Sequence, residues 1–317
     1  VEEERDDIVA KAEGFVEFGK FSLKIFDDVV LANEKYVDII LNGPYSLDLY
    51  SMGLVDGSNH VNFYDGKVRV VDQDGEEHCK YAPEDYMEFV SERVEPWSYL
   101  KFPYLKKVGW KGFVDGPESG VYRCTPLSRL NAADGMATPL AQAEFERFYD
   151  TLGGKPVHAT LATHWARLIE ILYAAERVLE LTEDPEITSP DVRAIPTKTP
   201  SEGIGIVEAP RGTLFHHYEI DDNGIVTRAN LIVSTTNNNT AMNESIRRVA
   251  DDLFDGRELT EPMLNSIEVA IRAYDPCLSC ATHALGKMPL EVQLVAPDGS
   301  VRDSLYRHMD GVVCRAD

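Results

Sequence analysis

Asp275-Pro276-Cys277-Leu278-Ser279-Cys280-Ala281-Thr282-His283 sets two thiols and an imidazole within seven residues, behind a proline that stops a helix-patterned run. Soft sulfur donors on a short, stiff segment bind a metal or do redox chemistry. A thioredoxin-like pair wants its first thiol at a helix N-terminus after a strand, whereas here an amphipathic pattern enters the motif from its N-terminal side. A structural zinc site wants four ligands, and the remaining cysteines, Cys79, Cys124 and Cys314, stand singly. The third reading is a thiolate metal site completed by ligands from elsewhere.

The full string is far more specific than a bare Cys-x-x-Cys. Ile271-Arg272-Ala273-Tyr274-Asp275-Pro276-Cys277-Leu278-Ser279-Cys280-Ala281-Thr282-His283 resembles the C-terminal nickel-binding signature of the nickel-iron hydrogenase large subunit. Upstream, Glu208-Ala209-Pro210-Arg211-Gly212-Thr213-Leu214-Phe215-His216-His217-Tyr218 resembles the segment of that family whose arginine faces the active-site iron. Tyr122-Arg123-Cys124-Thr125-Pro126-Leu127-Ser128-Arg129-Leu130-Asn131 resembles a third block of the same pattern, with no role that its residues alone supply. The likeness is strongest to the soluble, multi-subunit hydrogenases that couple to NAD(P), coenzyme F420 or heterodisulfide reductase.

The resemblance implies an α+β fold, predominantly helical, with a long-helix bundle core and small antiparallel β hairpins. It implies a Ni-Fe centre with cyanide and carbon monoxide on the iron, and reversible heterolytic cleavage of H2. Cys277 would be a terminal nickel ligand and proton acceptor, and Cys280 would bridge nickel and iron. Arg211 and Ser234, beside Pro210, match the donors to the anionic cyanides, which need hydrogen bonds in a dry pocket. Ser234 also suits a plain strand-end hydroxyl that caps the next helix. Asp275 would pair with Arg211, and His283 would bind Mg2+ or Fe2+. Electrons would leave through a separate iron-sulfur small subunit, because this chain has no cysteine cluster for an Fe-S centre and no flavin motif. Diaphorase, F420-reducing or heterodisulfide reductase subunits would accept them. Maturation would need nickel chaperones and an endopeptidase.

Two departures from the family pattern stand out. Members carry a second Cys-x-x-Cys near the N-terminus, and only the C-terminal pair occurs here; Val1 in place of a methionine suits a chain that is the C-terminal part of a longer or split subunit. The alternative is a non-catalytic relative, or an unprocessed precursor with an assembly role. Members also end near the histidine, whereas residues 284–317 follow it here and resemble the peptide removed after nickel insertion. The expected division is therefore a hydrogenase-like domain over 1–283 and an extension over 284–317.

Composition agrees without having revealed any of this. With 31 basic against 54 acidic residues, net charge −23, the chain is a poor match for nucleic acid or an anionic membrane. Five cysteines in 317 residues are no secreted disulfide framework. No run reads as a membrane span or a leader, and a cytoplasmic location is expected.

Along the chain, helical periodicity over 6–41 puts Ile8, Ala12, Phe15 and Phe18 inward. Residues 61–81 pattern as a small antiparallel sheet, and 84–94 as a short helix. Two strong helices follow, one from Pro139 to Leu152 ended by Gly153-Gly154, one over 159–181 with a stripe of Leu161, Trp165, Leu168, Leu172, Ala175 and Leu179. A hairpin around Asp221-Asp222-Asn223-Gly224 presents Arg211 and Ser234 at its two ends. Met242, Ile246, Val249 and Leu253 mark a helix, and Thr260 with Pro262 opens the last one, whose inward stripe delivers Asp275 and the thiols.

Overall fold

A computed structural model describes residues 2–98, 100–193, 195, 197–254, 258–277, 290–308 and 312–315. It begins with helix α1, Glu2–Phe26, which continues through one π turn, Asp27–Leu31, to α2, Glu34–Asn42, capped by the Asn33 side chain. Strands β1 (Tyr50–Val55), β2 (Lys67–Val71) and β3 (Glu77–Tyr81) form an antiparallel meander, with β6 (Tyr122–Arg123) parallel to the free side of β1. Between them, α3 (Tyr86–Phe89) leads into the hairpin β4 (Val90–Val94) and β5 (Lys101–Leu105). Helices α4 (Pro126–Ala132), α5 (Pro139–Leu152) and α6 (Thr163–Glu183) come next. A second antiparallel sheet holds β7 (Glu202–Ala209), β8 (Gly212–Ile220) and β9 (Val226–Ile232). Helices α7 (Ser234–Asn237), α8 (Asn239–Leu253) and α9 (Glu261–Ala273) follow, then a third sheet of β10 (Leu290–Val295), β11 (Val301–Arg307) and β12 (Val313–Arg315).

This is the α+β arrangement of helices and small antiparallel sheets that the sequence implies. The largest core joins α1, α4, α5 and α6 around Trp165, which is 1% exposed and meets the rings of Phe26 and Phe148. Three of the strongest helices begin with Pro at the first or second position, where its missing N–H costs nothing. At the centre lies α4, buried along its whole length and packed across β1. Gly53 permits that contact, since a Cβ there would come within 3.0 Å of the Arg129 Cα.

Two expectations fail. Of the residues expected inward on α1, Ala12 is 1% exposed, but Phe15 and Phe18 are 61% and 54% exposed, and Ile8 too is exposed. The helix is apolar on two faces, and it packs against α6 through the slimmer one, Ala12, Val16, Gly19 and Leu23, where the backbones approach closely. Periodicity locates such faces but does not rank them. The second failure is residues 84–94, where the helix stops after Phe89 and Val90–Val94 becomes a strand. Its backbone finds partners along Lys101–Leu105, so pairing outweighs the helix pattern. Strand β1 escaped the sequence reading because all six of its residues are buried, which erases any alternation.

In this chain, Phe18→Glu should change unfolding free energy by less than about 0.5 kcal/mol, whereas Ala12→Glu, on the packed face, should cost more than about 2 kcal/mol. Denaturant unfolding of the two variants measures both.

Candidate functional site

The register Ala209↔Gly212 makes β7 and β8 a hairpin with Pro210 and Arg211 as its two turn residues. Gly212 sits at φ 145°, and a Cβ on it would lie 2.6 Å from both the carbonyl oxygen and the Sγ of Cys124. The turn is thus pressed onto the residue before α4, and only glycine fits there. From this turn the Arg211 Nε donates to the Asp275 carbonyl at 2.6 Å and lies 3.2 Å from its carboxylate Oδ2. Two motifs 64 residues apart therefore meet side chain to backbone.

Asp275 has φ 48°, a left-handed conformation that Asp tolerates better than most residues. It follows the Tyr274 cap of α9 and leads directly into Pro276 and Cys277. The Cys277 amide donates to Thr235 Oγ1 at 3.2 Å, and its thiol is exposed. Ser234, 7% exposed, and Thr235, 3% exposed, open α7. The last turn of α9 is held by Arg167, which donates to Ala273 O at 3.1 Å, and by a 2.7 Å hydroxyl contact between Tyr274 and Ser245. Cys280 and His283 lie outside the described residues.

Beneath the turn is a charge network that the sequence reading missed. Arg129, 1% exposed, uses all five donors. Nε and one terminal nitrogen bind Glu170 at 2.6 and 2.5 Å; the others reach Glu208 at 2.9 Å, Ala209 O at 2.8 Å and Pro210 O at 3.3 Å. The one hint in the sequence is a single charged residue in a short, proline-started helix. Glu208 also accepts from Leu54 N at 2.8 Å and Thr213 Oγ1 at 3.0 Å. Burial pushes its carboxyl up to about 7, against the pull of Arg129, whose charge is already shared with Glu170. Arg129, Arg167, Glu170, Glu208 and Pro210 border a cavity of about 300 Å³. Burial drives the Cys124 thiol up to about 12, so it is a small packing side chain and no thiolate nucleophile.

Among the described residues, one further group, Glu202, His217 and Glu219, brings possible ligand atoms within 4.8 Å of one another. Both His217 nitrogens are already used, by Glu202 at 2.8 Å and the Tyr86 hydroxyl at 3.0 Å, and Glu219 pairs with Arg228. His216, on the opposite face of β8, contacts the Tyr218 hydroxyl.

A family model for nickel-dependent hydrogenases matches residues 15–283. The chain belongs to that family. An iron-sulfur subunit of the F420-non-reducing hydrogenase of Archaeoglobus profundus is 47% identical over 302 residues, 95% of this chain and 62% of that protein. The NAD-reducing hydrogenase HoxS subunit beta of Cupriavidus necator is 43% identical over 313 residues, 96% of this chain and 62% of that protein. Among solved structures, an NAD+-reducing NiFe-hydrogenase in its H2-reduced state superposes with a TM-score of 0.79 at 38% identity, over 89% of this chain and 60% of that one. A NiFeSe-hydrogenase of Dm. baculatum, at 19% identity and TM-score 0.56, shares the fold. The chain thus spans no more than 62% of the length of these family members.

The Glu208 carboxyl yields a pH signature. Between its ordinary value of 4.5 and about 7, the folded chain keeps a proton there that the unfolded chain has released, so stability falls as pH rises through that window. Glu208→Gln, a neutral isostere, should flatten that part of the curve, by an amount on the order of 2 kcal/mol. Unfolding of both proteins at pH 5, 6, 7 and 8 tests it, and parallel curves would count against a raised Glu208.

Proposed function

We propose that the chain forms the metal-binding part of the large subunit of a soluble, multi-subunit nickel-iron hydrogenase that catalyses H2 ⇌ 2H+ + 2e−. The observation that carries this is the Arg211–Asp275 contact, which joins the two family motifs and brings Cys277 alongside them. The donor set suits the group: a soft thiolate, a guanidinium and hydroxyls at the start of a helix.

A Ni-Fe centre, when bound, supplies the Lewis acid that polarises H2. Cys277 and Cys280 would hold the centre, and the Cys277 Sγ would accept the proton. Arg211, with Pro210 beside it, and the Ser234 hydroxyl would donate to cyanide ligands on the iron. Asp275 holds the guanidinium at its Nε, which fixes the direction of the fork. His283 would take Mg2+ or Fe2+.

Two electrons leave per H2, and the cysteines here offer no route for them, so an iron-sulfur small subunit is required. A diaphorase, F420-reducing or heterodisulfide reductase partner would receive them. Phe15, Phe18, Phe21 and Ile25 of α1 are all exposed, and an uncovered apolar face of this kind supports a heteromeric assembly. Among the described residues no helix is long and apolar enough to cross a membrane, and we place the assembly in the cytoplasm.

A second reading, an assembly-stage precursor, is favoured by a different observation. Strands β10, β11 and β12 form a sheet docked at α9 through Leu305, Leu259, Met263 and Leu264, with an Arg307–Glu268 ion pair. We infer that 284–317 is the peptide removed by a maturation endopeptidase after nickel chaperones have delivered the metal. The family match ends at residue 283, which supports that boundary.

In the full, co-expressed assembly Cys277→Ser should lose bound nickel and hydrogen uptake together. Arg211→Lys should keep the metals while turnover falls at least about tenfold, or ~1.4 kcal/mol in the barrier. Metal analysis beside hydrogen-uptake assays decides, and normal uptake in the Cys277 variant would overturn the reading.

A further inference from the structure

One amide side chain ties together three segments around the candidate site. Asn238, 1% exposed, stands between α7 and α8. Its Oδ1 accepts from Cys124 N at 2.9 Å, and its Nδ2 donates to Arg211 O at 3.0 Å and Ser234 O at 3.3 Å. The partners come from the entry to α4, the β7–β8 turn and the first turn of α7. Two of them, Arg211 and Ser234, are the residues assigned above as donors to the iron's anionic ligands, and both are gripped at their own carbonyls by the same nitrogen.

The neighbouring amide shows what a structural asparagine does at this junction. Asn237 accepts from the Tyr122 hydroxyl at 2.5 Å and donates to Thr213 O at 2.8 Å, stapling α7 to the sheets without holding Arg211. Around Asn238 the packing leaves no slack. Gly212 is jammed against Cys124, whose thiol in turn approaches Ser234 O at 3.8 Å. Each of these contacts limits a different motion: Gly212 stops the turn from sliding along α4, and Asn238 stops Arg211 and Ser234 from separating.

We propose that Asn238 is the positioning residue that fixes the Arg211 and Ser234 donors relative to each other, and through them tunes the hydrogen bonds to the diatomic ligands of the iron. It acts through Arg211 and Ser234 and touches neither metal nor substrate. This gives the block from Tyr122 to Asn131 a part in the site: the Cys124 amide is the anchor against which Asn238 is braced. Donor placement matters because a charge-assisted bond in a dry site weakens steeply with small errors in distance and angle. The inference rests on the assignment of Arg211 and Ser234 made above.

The test uses the complete, metal-loaded assembly and the infrared stretching bands of carbon monoxide and cyanide. Asn238→Asp keeps the shape and the acceptor toward Cys124 but removes the Nδ2 donor; Asn238→Ser shortens the side chain and serves if the Asp variant does not assemble. Asn131→Ala is the control, a buried asparagine that bonds Val157 and Tyr149 and neither donor residue. With nickel and iron content unchanged, the Asn238 variants should show displaced cyanide bands and a severalfold loss of kcat with KM for H2 little altered. The Asn131 variant should lose stability with its bands in place. Bands in the Asn238 variants that coincide with the unmodified assembly would overturn the inference alone. Absence of any such bands from the unmodified assembly would overturn the functional reading as well.

Discussion

The Arg129 guanidinium is the constraint to which the rest of the site answers. A charge with 1% exposure survives only when every donor is met, and all five are. The geometry of that requirement does the organising. Glu170 must come from α6, Glu208 from the end of β7, and two carbonyls from the turn that carries Arg211. Loss of one partner from such a network costs on the order of 3–5 kcal/mol, since the remaining charge is stranded. The helix bundle and the outer sheet are therefore locked together at one atom group. The turn that carries Arg211 inherits its position from a residue that touches no part of the proposed chemistry.

The sequence disclosed the site in pieces and the fold in outline. The strings around Arg211 and Cys277 are dense in residues suited to metal chemistry, so both could be singled out as candidates without structure, and the two segments meet at Arg211 and Asp275. The helices Pro139–Leu152 and Thr163–Glu183 were legible because strong stripes meet unambiguous stop signals. What resisted reading was long-range. Nothing local in Asn238 says that it reaches Cys124, Arg211 and Ser234, separated from it by 114, 27 and 4 positions. Glu170 looks like one more solvated acid on an amphipathic helix until Arg129 arrives from 41 residues away. Phe15 and Phe18 misled for the opposite reason, since their size suggested burial on a helix whose packed face selects small residues.

The end of α9 shows how local strain serves the site. Asp275 takes a left-handed backbone where glycine would be easier, directly before a proline that disfavours the helical basin for its predecessor. Glycine would supply the turn but not the carboxylate that lies 3.2 Å from the Arg211 Nε, and a helical Asp would carry the chain on along the α9 axis. Both requirements fall on one residue. The energy that holds it comes from its surroundings, namely the Arg211 bond to its carbonyl and the Arg167 bond to Ala273 O.

The sheet of β10, β11 and β12 bears on the same helix. Arg307 is 7% exposed and binds both Glu268 and Asn265, while Leu305 sits among Met263, Leu264 and Leu259. A passive tail would need no buried arginine. If residues 284–317 are removed on maturation, as proposed, Glu268 loses Arg307 and keeps Arg272, and apolar side chains at α9 are uncovered. That change falls on the helix that leads through Tyr274 to Asp275 and Cys277. Cutting the chain beyond residue 283 would then alter, through α9 itself, the forces on the segment proposed to bind metal, in addition to freeing a new C-terminus. The direction follows from the contacts. The bonds that hold the end of α9 to Arg211, Arg167 and Ser245 do not involve the extension, so the site end stays anchored while the body of the helix is released to repack.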